Sequence, residues 1–397
     1  MSIARITLSV IAILHVCCGI ADSQPAQRIP LQILVQRLNF LCENQIVQSF
    51  PTAGPAQSTW RICWHEVRSN DSVANPNGLV IGPVYFQKSP SAPFIRVLWD
   101  MRVSDYFVPY HAGSPRFYDL SGYNFVLAGV SAVDCPVSAG GSPINARVCK
   151  EVHDRGLLYK DGAGVRRGEE LVLWGAIDAA NYRYIQEYTF RDDGMIMGRM
   201  GATGQNLPGD ELETHVHNAI WRLDLDIDGV TNNAALVRHS ENVANASGVA
   251  SDAATAVATA QGFQWDARRH DVIEVSNPSS HNAQGHVISY QLIPQVTGGG
   301  LTQHYEAFTQ NDFWVTPYTA TQFAAKNLPT YVAAHPAVDN RDLVVWYKGS
   351  LHHHPRDEDG VYNAQHHWIG TADVMWTGFL LMPHNVLDCS PLYVPCP

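Results

Sequence analysis

The chain has 397 residues, 46% of them hydrophobic and 16% charged, so it can bury a large core, and intrinsic disorder is excluded. A formal net charge of −11 and the lack of Lys and Arg clusters exclude binding to nucleic acid or to an anionic membrane through a basic patch, because that binding requires cations to neutralise phosphates.

Residues 1–22 carry an early Arg5, a mostly apolar run from Ile6 to Val16 and small residues near Gly19, which is the pattern of a signal peptide and predicts secretion. A membrane anchor would need about 20 apolar residues, and no other stretch is long enough to span a bilayer. Removing this segment takes away Cys17 and Cys18 and leaves Cys42, Cys63, Cys135, Cys149, Cys389 and Cys396. An even set in an oxidising compartment predicts disulfides. The short span between Cys135 and Cys149 makes that pair the preferred one, and the other four stay open. Asn70-Asp-Ser and Asn245-Ala-Ser are glycosylation sequons.

Residues 23–59 are Pro- and Gln-rich and include Pro51-Thr-Ala-Gly-Pro, so they read as an extended leader, with the compact unit starting near Trp60. From there to residue 397, short runs of β-branched and aromatic residues alternate with Gly, Pro, Asn and Asp. No fixed repeat and no linker interrupts them. The expectation is all-β: one large antiparallel β-sandwich over residues 60–397. The Ala-rich stretch from Ser251 to Gln261 reads as a short helix or a mobile loop.

The run His215-Val-His-Asn-Ala-Ile-Trp-Arg-Leu-Asp-Leu-Asp-Ile-Asp alternates with period two. On a strand, His215 and His217 share one face with Ala219, Trp221 and Leu223, while Arg222, Asp224, Asp226 and Asp228 take the other. Two imidazoles in an apolar layer need polar partners. A metal satisfies both, and imidazole suits copper, zinc or iron; hydrogen-bonded core histidines are the alternative. Further on, His353 shares parity with Leu343, Val345, Tyr347 and Leu351 if no bulge intervenes, with His352 and His354 on the opposite side. The acidic face offers Asp224 and Asp342 as oxygen ligands for a hard cation, or is a solvated edge.

With these residues assembled, the chain resembles the catalytic C-terminal domain of the copper- and quinone-dependent amine oxidases. Val108-Pro-Tyr110 followed by Tyr118-Asp119 is similar to the family segment that holds the catalytic base. Cys135 and Cys149 match its disulfide. Asn181-Tyr182 matches the pair whose Tyr is oxidised to topaquinone. His215-Val-His217, Arg222-Leu-Asp224 and Leu351-His-His353-His-Pro-Arg356 match its copper ligands and their flanks, so resemblance and strand parity select the same third histidine.

The resemblance implies a homodimer that converts a primary amine, O2 and water to an aldehyde, ammonia and hydrogen peroxide. It assigns copper to His215, His217 and His353, and the topaquinone precursor to Tyr182. Asp119 becomes the base that takes a proton from the substrate carbon, with a pKa raised by burial, and Tyr110 the group that orients the quinone. It also implies a calcium-type site at Asp224 and Asp342 with the carbonyls of Leu225 and Leu343.

Three departures stand out. Arg183 follows the tyrosine where the family has an acid, although strand alternation aims it away from Tyr182. Asp178 replaces a Thr, and an insertion after Pro355-Arg-Asp-Glu-Asp contains His366-His367. The two small α/β domains that precede the sandwich in typical members have no room here. A copper protein on the same scaffold that makes no quinone, or a noncatalytic binding protein, is the alternative reading.

Overall fold

Runs of β-branched and aromatic residues can satisfy their backbone groups only by pairing with neighbours. In the computed structural model of the chain they do so in two antiparallel sheets, each of ten strands among the described residues. The structure describes residues 42–53, 57–110, 115–162, 164–207, 209–210, 212–231, 233–241, 251–295, 304–359 and 373–391.

The first sheet runs in the order Asn44–Phe50, Ser58–Val67, Gly78–Gln87, Asp100–Pro109, His215–Asp224, Leu343–His353, Phe313–Pro317 and Gln261–Phe263. The second runs Ser251–Val257, Ala234–Glu241, Val272–His281, Val287–Gln295, Met375–His384, Ile196–Gly204, Tyr182–Arg191, Gly164–Ala179, Cys149–Asp161 and Gly141–Pro143. Their inner faces share one hydrophobic cluster, which makes the antiparallel β-sandwich expected from the sequence. Trp221 of the first sheet meets Phe379 of the second edge-on at 5.4 Å between ring centres. The Trp60 indole N–H donates across the gap to the Arg191 carbonyl at 2.8 Å. Both tryptophans are fully buried, and truncating either would cost about 3–5 kcal/mol.

Three expectations are corrected. The stretch read as an extended leader contains Asn44–Phe50, an edge strand of the first sheet in register with Ser58–Val67 and tied to it by the Cys42–Cys63 disulfide. Ile46 and Phe50 go into the core, a period-two signal hidden by its Gln and Asn neighbours and the turn residues that follow. The signal-peptide residues, and the leader up to Leu41, lie outside the described residues.

The Ala-rich stretch is neither helix nor loop: Ser251–Val257 is a strand, because its backbone pairs with Ala234–Glu241 and Val257 is buried. Nor is the acidic face of His215–Asp224 solvated; Arg222, Asp224 and Asp226 are buried. The segment that contains Phe323 and the short helix Leu328–Val332 lies against this outer face, with Tyr331 beside Trp346 and the Arg222 guanidinium over Phe323. Among the described residues no helix is long and apolar enough to cross a membrane.

Candidate metal centre and active-site cavity

The strand His215–Asp224 pairs with Leu343–His353 in an unbroken register that sets His215 opposite His353 and His217 opposite Leu351. No bulge breaks the parity of Leu343–His353, so His353 joins the other two on the inner face. All three are buried, and one ligand atom from each lies within 4.8 Å of the others.

Each imidazole has a hydrogen-bond partner on its outer side. His215 Nδ1 faces the Glu213 carbonyl at 3.1 Å, and His217 Nδ1 faces the Tyr184 hydroxyl oxygen at 3.2 Å. His353 Nε2 faces Asp359 Oδ2 at 3.2 Å, a carboxylate held in turn by the Arg356 guanidinium at 2.6 Å and 3.0 Å. A carbonyl and a carboxylate only accept, and the Tyr184 O–H is directed to Asp119, so the outer nitrogen of each ring carries the proton. The inner nitrogens, Nε2, Nε2 and Nδ1, are therefore lone pairs. His215 Nε2 and His217 Nε2 stand 2.8 Å apart with no proton to place between them, an arrangement a cation resolves. Burial pushes the pKa of His215 down to about 3, that of His217 well below its ordinary value, and that of His353 down as well. The set is neutral, as metal ligation requires.

The second sheet supplies the phenol. Gly164–Ala179 and Tyr182–Arg191 form a hairpin joined by Ala180 and Asn181, with Ala180 at φ +60°. Tyr182 opens the second strand and points into the sandwich, its hydroxyl 2.5 Å from His353 Nδ1 and 3.3 Å from both His215 Nε2 and Asn206 Oδ1. Asn181 Nδ2 donates to the Gln205 carbonyl at 2.7 Å, pinning the turn to the next strand. Gly204 lies opposite Tyr182, at φ +155°; a Cβ there would stand 2.3 Å from the Asn181 carbonyl and 2.7 Å from Tyr182 Cα. Only glycine permits that approach.

Arg183 points outward, away from the phenol. It pairs with Asp178, its cross-strand partner, at 2.9 Å and donates to the carbonyls of Ala180 and Tyr182 at 2.7 and 2.9 Å. The two departures from the family motif thus face one another as an ion pair that clasps the turn.

Beside Tyr182 lies a mainly apolar cavity of about 240 Å³, lined among others by Tyr110, Phe117, Asp119, Tyr123, Phe125 and Tyr184. Asp119 is the one carboxylate among the described residues that line it. Burial pushes the pKa of Asp119 up to about 7, against the hydrogen bond it accepts from Tyr184 at 2.8 Å. Its loop is held by Asp105, whose carboxylate accepts from the Leu120 and Ser121 amides at 3.1 and 3.3 Å. Tyr184 therefore bridges the acid and the metal centre, between Asp119 and His217. Tyr110 stacks on His215, ring centres 4.1 Å apart, and lines the cavity with Asn181.

Asp224 and Asp342 lie at the far end of the same two strands, where Asp226 joins them with carboxylate oxygens within 4.8 Å. Arg96 sits 3.3 Å from Asp226 and neutralises part of that charge. The calcium expectation, with the Leu225 and Leu343 carbonyls, goes no further than this cluster. Cys135 and Cys149 are bonded to each other, and Cys389 is also disulfide-bonded. Asn70 is exposed; Asn245, His366 and His367 lie outside the described residues.

Sequence reasoning missed Asp226, Tyr184, Asn206, Asp359 and Arg356 as partners of these sites. For the last two a signal existed, the Pro355-Arg-Asp-Glu-Asp359 run directly after His353.

Residues 208–393 match the copper amine oxidase enzyme domain. The chain is 30% identical to a histamine oxidase of Arthrobacter globiformis over 371 residues, 74% of this chain and 51% of that protein. It is 26% identical to primary amine oxidase 2 of Arabidopsis thaliana over 384 residues, 79% of this chain and 55% of that protein. It thus spans about half the length of these relatives. In fold it is similar to a copper-containing benzylamine oxidase from Hansenula polymorpha, with a TM-score of 0.63 and 17% identity over 94% of this chain and 64% of that one. A lysyl oxidase of Pichia pastoris gives a TM-score of 0.62 and 15% identity over 94% and 57%.

Proposed function

From the chain's membership of the copper amine oxidase family, carried by its enzyme domain, we propose that it is a secreted copper-dependent oxidase of small primary amines in which Tyr182 is the topaquinone precursor. The net reaction would be amine, O2 and water to aldehyde, ammonia and hydrogen peroxide. The observation that carries this reading is the convergence of three inward lone pairs, from His215, His217 and His353, beside the Tyr182 hydroxyl, which contacts His215 and His353.

Copper in air would supply the oxidation of the phenol and, with the resulting quinone, the electron acceptor for the amine. The chain's own residues would do the rest. Asp119, the one carboxylate among the described residues of the cavity lining, removes the proton from the carbon next to the amine nitrogen. A pKa near 7 suits it to hold a proton and give it up near neutral pH. Tyr184 keeps the carboxylate oriented through its hydrogen bond. The aromatic walls accept an apolar tail. On this reading the substrate is a primary amine with a small apolar tail.

Secretion rests on the signal-like residues 1–22 and on the disulfides, which persist in oxidising compartments. The homodimer is part of the same reading, checked by light scattering.

The test is copper reconstitution in air. The purified chain should turn pink; one portion should react with phenylhydrazine, which blocks the quinone, and a separate portion given benzylamine should reduce O2 to hydrogen peroxide, whereas Tyr182→Phe should bind copper and do none of these. A wild-type chain that binds one equivalent of copper without colour, or a Tyr182→Phe variant that still turns over amine, sinks the quinone reading and favours a copper protein of other chemistry.

A further inference from the structure

The run His352-His353-His354 places one imidazole inside the sandwich and two outside it, because side chains alternate across a strand. His353 is buried, His352 half-buried and His354 exposed. The outer two have no part in the chemistry above. Their ring centres are 4.7 Å apart at 71°, and His352 Nδ1 lies 2.8 Å from His354 Nε2.

We propose that His352 and His354 form a second, solvent-facing site for a divalent transition metal, Cu2+ foremost, with water completing its coordination. Two imidazole nitrogens bound to one ion at about 2.0–2.1 Å stand about 3 Å apart. The pair therefore needs to open by only a few tenths of an ångström to admit the ion.

The competing use of this geometry is a plain hydrogen bond between neutral rings, and two observations fit the metal equally well. His354 Nδ1 lies 3.4 Å from the Thr214 hydroxyl. A proton directed there leaves Nε2 a lone pair on the side facing His352, the outer-shell arrangement usual for ligating histidine. His304 lies within electrostatic reach of His352, and its Nε2 is buried without a hydrogen-bond partner, which brings a third imidazole to the neighbourhood. Two imidazoles suit Cu2+ better than Mg2+ or Ca2+, which take oxygen ligands.

Copper-free full-length protein, purified without a polyhistidine tag and kept anaerobic so that Tyr182 stays unmodified, is titrated with Cu2+ alone and followed by calorimetry and electron paramagnetic resonance. The wild type should bind two ions with two distinguishable spectra, the second more weakly. The double variant His352→Ala/His354→Ala should bind one ion and keep the inner spectrum, while His217→Ala keeps the outer one. His354→Ala alone, at an exposed position, should also abolish the second ion and serves if the double variant does not fold. A wild type that binds a single ion, or a second ion that survives loss of both imidazoles, overturns the assignment.

Discussion

Replacing Asp119 with Asn should stabilise the fold while abolishing turnover. Burial lifts this carboxyl from its ordinary 3.8 to about 7, so the folded chain holds a proton there that the unfolded chain releases. The sign follows from linkage: a raised folded pKa gives stability that is present below pH 3.8 and lost as the pH climbs through about 7. Each tenfold difference in proton affinity is worth about 1.4 kcal/mol, so above pH 7, where the buried carboxyl is ionised, it burdens the fold by about 4 kcal/mol, and at pH 5, where folding must take up a proton the unfolded chain has released, by about 2 kcal/mol. An amide of the same shape accepts the Tyr184 hydrogen bond and never ionises. Copper-free wild type and Asp119→Asn are unfolded in guanidinium chloride at pH 5 and pH 8, and the change in stability is compared between the two. Groups common to both chains cancel in that comparison, as does any fixed cost of the new NH2. The variant should gain about 2 kcal/mol more at pH 8 than at pH 5. A gain that is equal at both values, or larger at pH 5, refutes the claim that Asp119 is ionised against the preference of its surroundings.

In the reconstituted enzyme, Tyr184→Phe removes a hydrogen bond to a carboxylate worth about 1.5–3 kcal/mol, so the rising acid limb of kcat/KM should move up by about one to two pH units. A limb that stays put or moves down argues against Asp119 as the base. Asp359→Ala takes away the acceptor that fixes the His353 tautomer and should weaken copper binding about 10–100-fold in equilibrium dialysis, with the metal still bound at saturation. Unchanged affinity would show that His353 needs no such support. Arg183→Ala breaks a half-exposed ion pair and should change stability by less than about 1 kcal/mol, leaving copper binding and colour formation in place. Loss of colour with copper bound would mean that this cation acts on the phenol after all.

Much of the site was legible because period two is a strong signal. His215, His217 and His353 fall on one face by counting alone, and the counting held because the pairing of their two strands carries no bulge. Parity tells which face a residue takes, however, and not what covers that face. Asp224 and Arg222 were assigned to the correct side, and the burial of Arg222 under the Phe323 segment depends on a loop about a hundred residues away. Asn44–Phe50 was lost because only two of its residues, Ile46 and Phe50, are buried, and the strand is held by its neighbour and a disulfide more than by its own composition. The Ala-rich strand failed for a related reason: local propensity there is weak, and pairing decides. Tyr184 was visible only as one aromatic among several, since its role lies in linking Asp119 to His217 across the interior.

The imidazoles belong to one sheet and the phenol to the other, so the contact of Tyr182 with His353 exists only when both layers are seated at their proper separation. If the phenol is oxidised there, pigment becomes a stamp of completed assembly. Chains caught half-folded would stay colourless and make no peroxide, and absorbance per mole of metal would count the correctly closed molecules in any preparation.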